Sequence, residues 1–430
     1  MSRSFSLIFF CLALIVGCAQ QPPADKNDAT VSDSSGGTAT SAPVTDQGPI
    51  LEAPSADGSN WLANEEVQAG WIRLFDGHTL FGWKSNSALE WTASDGVITA
   101  KSSDAADKGL LMTTTRFADY ELICQYRLEK GGNSGIFLRS VFNPTAPDVD
   151  CYELNMCDSR TEFATASLVG RKNPASVVQG DGDWHTFHVR VEGPSVTVKF
   201  DGKQVLEYTD ETENPLKTGH IGLQMNGGEI EFRNVYLKPL GTRPLFDGKT
   251  LAGWHEVPGS KSQFTVSNGA IRVLNGRGFL ETDLTAGNFV LQFQAVTNGK
   301  ELNSGVFFRA MRGTDEAPSH GYEFQIHNGF KNGDRTQPVD HGTGGIFKRV
   351  SARRVVSDDY EWLTSTLIAD GNHIATWVNG TQMVDWTDER PANENPREGS
   401  RTAAGHLSLQ GHDPTTDLSF RNLLLGETPP

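Results

Sequence analysis

The chain carries one set of landmarks twice, in the same order. Leu74-Phe-Asp-Gly-His-Thr-Leu-Phe-Gly-Trp83 recurs as Leu245-Phe-Asp-Gly-Lys-Thr-Leu-Ala-Gly-Trp254, and Asn133-Ser-Gly-Ile-Phe-Leu-Arg139 recurs as Asn303-Ser-Gly-Val-Phe-Phe-Arg309. Tyr152-Glu153 matches Tyr322-Glu323, and Gly219-His-Ile-Gly-Leu-Gln224 with Phe232-Arg-Asn234 matches Gly405-His-Leu-Ser-Leu-Gln410 with Phe420-Arg-Asn422. A repeat of about 170 residues is a whole domain and not a solenoid unit. The copies are expected over residues 71–239 and 242–427, joined by the short linker Pro239–Pro244. Whatever fold one copy takes, the other must take as well.

Within each copy the hydrophobic period is two. Tyr120, Leu122, Cys124, Tyr126 and Leu128 alternate with mostly polar residues, as do Phe289, Leu291, Phe293 and Ala295. Phe200 runs into Asp201-Gly202, and Val378 into Asn379-Gly380, the favoured two-residue hairpin signals. No long stretch has apolar residues at helical spacing, and 45 Gly with 9 Trp suit strands and tight turns. About ten to thirteen short strands per copy predict a two-sheet sandwich, so the fold class is all-β, two tandem jelly-roll β-sandwiches.

The N-terminus has its own logic. Arg3 precedes an apolar run from Phe5 to Val16, too short to span a bilayer. Followed by Gly17-Cys18, it reads as residues 1–18 of a lipoprotein signal peptide, with Cys18 lipidated. Ala19 after that cysteine leans towards the outer membrane, on its periplasmic or surface face. Residues 19–66, rich in Pro, Ser, Thr and Gly, cannot bury enough surface to order themselves and read as a tether. The membrane is then a partner through the N-terminal lipid alone. A formal charge of −16 argues against nucleic acid and anionic membrane surfaces, and neutral sugars suit such a surface better. Cys151 and Cys157 sit about 20 Å apart along an extended strand, too far for a disulfide.

Strand alternation singles out a polar row. Glu153, Asn155 and Cys157 share one face, with Leu154 and Met156 on the other; Glu323, Gln325 and His327 share the corresponding face in the second copy. Such a row fits either a sugar-binding face or an ordinary solvated one. Arg139 and Arg309 end apolar strands, either pairing with a carboxylate at the sheet edge or offering a fork of donors to sugar oxygens. Asp76 and Asp247 read as turn residues, and Trp83 and Trp254 as plugs at one end of the sandwich. His341, in the insertion Lys331–His341, is a loop histidine with lid and ligand roles as alternatives. Glu323, His327 and His341 together offer a divalent metal site, though without tight ligand spacing.

The landmarks L-F-D-G-x-T-L-x-G-W, N-S-G-[IV]-F-x-R, G-Y-E and G-x-[IL]-x-L-Q with F-R-N resemble those of the 3-keto-disaccharide hydrolase domain family, over essentially the whole folded body. The resemblance implies a concanavalin A-like jelly roll and a saccharide substrate carrying a ketone at C3. It implies substrate contacts from Tyr152, Asp158 and Gln224 in the first copy and Tyr322, His327 and Gln410 in the second. The chain departs from the family's turn: the first copy has Asn226 where His is usual, while the second keeps His412 but replaces the following Gly. The second copy has Asn328 where the first has Asp158.

A C3 ketone acidifies the C2 proton, so loss of that proton, expulsion of the C1 substituent and later addition of water give net hydrolysis. Glu153 or Glu323 would be the base, or the ligand of a divalent ion that binds the sugar. Arg139 or Arg309 would stabilise the enolate, and His412 would be the acid. With His327 and His412, the second copy is expected to carry the chemistry and the first to serve more in binding. The alternative is a non-catalytic, lectin-like lipoprotein on the same scaffold. A two-carboxylate glycosidase would need a second carboxyl about 5–10 Å across a cleft, and no strand residue pairs with Glu153 in that way.

Overall fold

The computed structural model describes residues 62–101 and 108–429. The signal peptide and Cys18 lie outside the described residues, as does all of the tether before residue 62. Residues 62–66 depart from the tether expectation. Asn64–Gln68 forms a short helix, and Leu62 and Val67 pack with Trp71, Ile123 and Tyr236. Among the described residues no helix is long and apolar enough to cross a membrane.

Each copy pairs an eight-stranded with a five-stranded sheet, all antiparallel, and both copies use the same strand order. The expectation of two tandem β-sandwiches holds. The alternating residues point where their period requires: Tyr120, Leu122, Cys124 and Tyr126 lie in one core cluster, and Phe289, Leu291, Phe293 and Ala295 in the other. Asp201-Gly202 and Asn379-Gly380 all have positive φ, as the tight hairpin turn demands. Cys124, Cys151 and Cys157 are free and buried.

The landmark residues mostly build scaffold. Asp76 accepts from the Thr79 backbone N–H (2.7 Å) and hydroxyl (2.8 Å), and Asp247 does the same with Thr250 (2.7 and 2.8 Å). The Trp83 and Trp254 indoles donate to the Leu74 and Leu245 carbonyls across the same turn (2.5 and 2.9 Å). Asn234 and Asn422, both at positive φ, donate to Gln125 and Gln294 on the neighbouring strand.

The copies lock to each other. Trp377 of the second copy is buried and donates its indole N–H to the Arg73 carbonyl (3.0 Å). Arg116 makes a bidentate pair with Asp370 (2.6 Å for each bond), and Arg353 reaches Asp76 at 2.8 Å.

The site is positioned by the second copy's five-stranded sheet. Its order is Trp254–Glu256, Gly278–Ala286, Gly405–Gly411, Ser304–Ala310, Tyr322–Ile326. Tyr322, Phe324 and Ile326 enter the core, so Glu323 and Gln325 emerge on the outer face. Three loops rise around that face: residues 311–321, 342–352 and 389–404.

Candidate functional site

Glu323 stands opposite Phe307 on the neighbouring strand. The glycine of the N-S-G landmark makes room for it: a Cβ on Gly305 would lie 2.8 Å from Glu323 Cγ and 2.9 Å from Oε1. The serine of the same landmark, Ser304, ties the strand to its neighbour by donating to the Gln410 carbonyl (2.7 Å). Glu323 thereby faces a cavity of about 440 Å³, lined also by Asn303, His320, Arg397, Gln410 and His412.

Burial pushes the Glu323 carboxyl up to about 7, against the opposing pull of Arg397 and His412. Its Oε2 accepts from Arg397 Nη2 at 3.1 Å. The Arg397 guanidinium sits over the Phe307 ring at 5.2 Å and the Phe347 ring at 5.8 Å, so aromatic faces hold it in place. His412 Nδ1 lies 3.0 Å from Asp413 Oδ2, which leaves Nε2 without a partner among the described residues. Gln410 is buried and its Oε1 has no partner in the protein, an acceptor held ready for a donor from outside. A carboxyl poised near neutrality beside a cation, with a histidine across the cavity, is equipped to move protons.

Three of the residues predicted from the sequence come together here: Glu323, Gln410 and His412. Others go elsewhere. Arg139 donates to the carbonyls of Ala118, Gly193 and Leu216 and to Asp119; Arg309 donates to those of Gly287, Gly371 and Arg401 and to Asn288. Both are buried at positive φ with every guanidinium nitrogen committed, so they clamp loops and stabilise no enolate. Tyr152 and Tyr322 face the core and donate to Asp210 and Asp388 (2.7 Å each), which removes them from substrate contact. Asp158 accepts from Thr165, Gly180 and Asp181 and organises its own loop. His327 accepts from the Gly329 N–H (3.1 Å) and does not line the cavity. The His341 ring accepts from the Lys348 N–H (3.1 Å) and packs edge-on against Phe347. Among the described residues no three or more His, Cys, Asp or Glu side chains converge as they would around a metal ion, so Glu323, His327 and His341 form no such set.

In the first copy Glu153 is also raised by burial, with Gln224 Nε2 donating to its Oε1 at 3.3 Å as the opposing influence. Its surroundings differ. Leu110, Met112, Phe137 and Cys151 form an apolar cluster on that face, and Asn226 stands where the second copy has His412. Arg160 also holds the Glu153 carboxyl down, but only through space: among the described residues no arginine hydrogen-bonds to it.

Arg397 is the residue that reading the sequence missed. It lies between Asp388 and Gly405, a segment of 16 residues whose counterpart between Asp210 and Gly219 has 8. That difference in length was the available signal. Arg277, where the first copy has Lys108, went unnoticed for want of any landmark around it. The Asp340 carboxylate, which accepts from Asn303 Nδ2 and from Gln325 Nε2 (3.0 Å), stands close enough to Glu323 to push its carboxyl up further. Glu281 also shares the sheet face. It is held by His255 (3.1 Å) and the Gly313 N–H (3.0 Å), three strands from Glu323, roughly 14 Å at ~4.8 Å per strand. That exceeds the separation a two-carboxylate glycosidase uses.

Comparison with known proteins agrees with the repeat. A 3-keto-disaccharide hydrolase of Bacteroides thetaiotaomicron is 25% identical over 228 residues, covering 40% of this chain and 79% of that protein. Similar solved structures include a candidate glycosyl hydrolase from Parabacteroides distasonis (20% identity, TM-score 0.37, 42% of this chain and 99% of that chain). A carbohydrate-binding module from Bacillus subtilis is also similar (17% identity, TM-score 0.28, 36% of this chain and 95% of that chain). Residues 70–238 and 241–425 each match one family, and the chain belongs to it: the 3-keto-alpha-glucoside-1,2-lyase-like domain, present as two tandem copies.

Proposed function

We propose that the second copy cleaves the glycosidic bond of a 3-keto-disaccharide or 3-keto-glucoside, by elimination followed by hydration. The observation that carries this reading is Glu323, a buried carboxyl raised to about 7 on the wall of an open cavity and 3.1 Å from Arg397. The family is described by a lyase and the Bacteroides relative is named a hydrolase. Elimination and subsequent addition of water account for both descriptions.

Ionised Glu323 removes the C2 proton of the sugar, which the neighbouring ketone has made acidic. Negative charge moves from the carboxylate to the ketone oxygen, and Arg397, already beside the carboxylate, remains close to that charge throughout the transfer. The charge therefore never loses its counter-ion, which is how a preorganised cation lowers the barrier. The C1–oxygen bond then breaks and His412 Nε2 supplies the proton to the departing oxygen. Water adds its hydroxyl to C1 and its proton to C2, giving the free 3-keto sugar and the released alcohol. Gln410, whose Oε1 has no partner in the protein, offers hydrogen bonding to the ring hydroxyls, while Asn303 is held by Asp340 and Gln325.

The first copy, with an apolar surround and neither Arg397 nor His412, is assigned to saccharide binding. Lipidation at Cys18 would hold the body at the outer membrane. The test is a substrate deuterated at C2. The proposal expects slowed turnover and exchange of the label with water; unslowed hydrolysis with the label fully retained at C2 would refute elimination. Saccharide binding with no product from either substrate would instead favour the lectin-like alternative.

A further inference from the structure

The segment 328–342 of the second copy is longer than its counterpart 158–164, and the extra length brings a carboxylate to the site. Matched contacts frame the two segments: the Cys157 N–H donates to Thr165 Oγ1 (2.9 Å), and the His327 N–H to Thr343 Oγ1 (3.0 Å). The insertion closes on itself, with the Lys331 N–H donating to the Gln337 carbonyl (2.9 Å) and the Val339 N–H to that of Gly329 (2.9 Å). It then runs through two consecutive left-handed residues, Asp340 at φ 47° and His341 at φ 69°. Such a pair is uncommon away from glycine and persists only where its surroundings hold it.

The surroundings here are two amides of the sheet face. Asp340 Oδ2 accepts from Asn303 Nδ2 and from Gln325 Nε2 (3.0 Å); Asn303 lines the Glu323 cavity, and Gln325 is fully buried opposite Gly305, the residue that makes room for Glu323. A carboxylate can only accept, so both amides must turn their NH2 groups towards it. Gln325 Oε1 is thereby left facing away from Asp340, buried and without a partner. Asp340 itself has no ion pair among the described residues. In the first copy the same place is neutral. Asn155 Nδ2 donates to the Phe163 carbonyl, and Asn133 Oδ1, on the counterpart of Asn303, is buried without a partner.

We infer, resting on the reading of Glu323 as the base, that the insertion supplies the second copy with a positioning residue: Asp340 orients the Asn303 and Gln325 amides and keeps a negative charge close to Glu323. Burial is the main reason that Glu323 holds its proton; Asp340 adds to that hold, and Arg397 and His412 oppose it. His320 and Arg277 are the other ionisable groups lining the cavity. Ionised Glu323 and Asp340 repel each other, and the repulsion ends when the C2 proton reaches Glu323. A charge that disfavours the starting state of that step and not its product makes Glu323 the stronger base. Arg397 and Asp340 thus act on Glu323 in opposite senses, and the first copy has a counterpart of neither.

The experiment compares the full chain with Asp340→Asn and Asp340→Ser, which remove the charge, and with Asp334→Asn, at a turn of the same insertion where Asp334 accepts from Thr336 and Gln337. Urea unfolding of each, with and without Glu323→Gln, reads the titration of Glu323 alone, because every other group is common to the pair. As the pH rises, the stability gained through Glu323→Gln grows until Glu323 is ionised in the folded state as well. In both Asp340 variants that growth should stop at a pH lower than in wild type by roughly half a unit or more. The rising limb of kcat/KM for a 3-keto-disaccharide should move down with it, and Asp334→Asn should move neither. A limb or a stopping point that stays or rises in the Asp340 variants, or an equal shift in Asp334→Asn, would overturn the role of Asp340. So would failure of both Asp340 variants to fold, which would make the residue structural. Absence of product from wild type would overturn the reading of Glu323 as the base instead, while the unfolding pairs still decide Asp340.

Discussion

Replacing Glu323 by glutamine should make the protein more stable at neutral pH while removing its activity. Burial raises this carboxyl from 4.5 to about 7. In the unfolded chain the group ionises near 4.5, so between pH 4.5 and 7 the folded state holds a proton that the unfolded state has released. Stability is therefore greatest below pH 4.5 as far as this group is concerned, and falls as the pH rises through 7. At about 1.4 kcal/mol per pKa unit, the loss comes to about 3 kcal/mol. Glutamine keeps nearly the same shape and never ionises. Urea unfolding of wild type and Glu323→Gln, followed by tryptophan fluorescence from pH 4 to 8, isolates the group because every other titrating residue is common to both. The stability difference should shift in favour of the variant by about 3 kcal/mol across that range. A difference that stays flat with pH would show that burial does not perturb Glu323, and the case for it as a base near neutrality would fail with it.

Removing Arg397 takes away the cation that holds Glu323 down. Arg397→Ala should lower kcat/KM by roughly 10–100-fold and move the rising limb of its pH profile upward, with Arg397→Lys restoring part of each; an unmoved profile would separate the arginine from the base. Gly305→Ala puts a methyl within 3 Å of the Glu323 side chain, so activity should fall more than tenfold while far-UV circular dichroism stays that of wild type. Arg309→Met leaves three backbone carbonyls without their buried donor. At roughly 1–3 kcal/mol for each buried acceptor left unsatisfied, it should cost about 3 kcal/mol or more in urea unfolding, and a loss below about 1 kcal/mol would contradict the clamp assigned to it.

The scaffold was readable because it obeys local rules. Alternation of apolar residues placed Glu153 and Glu323 opposite the core-facing residues of their strands, and Asp-Gly and Asn-Gly turns marked the hairpins. The site was less readable. Arg309 has the chemistry of an enolate stabiliser, but its direction depends on a positive-φ residue at the strand end, which turns the side chain into the loops. Tyr322 follows from alternation as a core residue; the family pattern drew attention to it as a ligand despite that. Arg397 lies far along the chain from any landmark, and reaches Glu323 only because a lengthened loop folds back over Phe307 and Phe347. Contacts of that kind arise from tertiary structure, and no periodicity reports them.

The division of labour between the copies is the central claim, and one comparison tests it most directly. Glu153→Gln and Glu323→Gln, each in the full chain, are assayed for product from a 3-keto-disaccharide beside wild type. Glu153→Gln should retain kcat/KM within about threefold, and Glu323→Gln should lose roughly 10²–10⁴-fold, the contribution of a general base. Full activity in Glu323→Gln, or its loss in Glu153→Gln alone, would place the chemistry in the other copy and contradict the account.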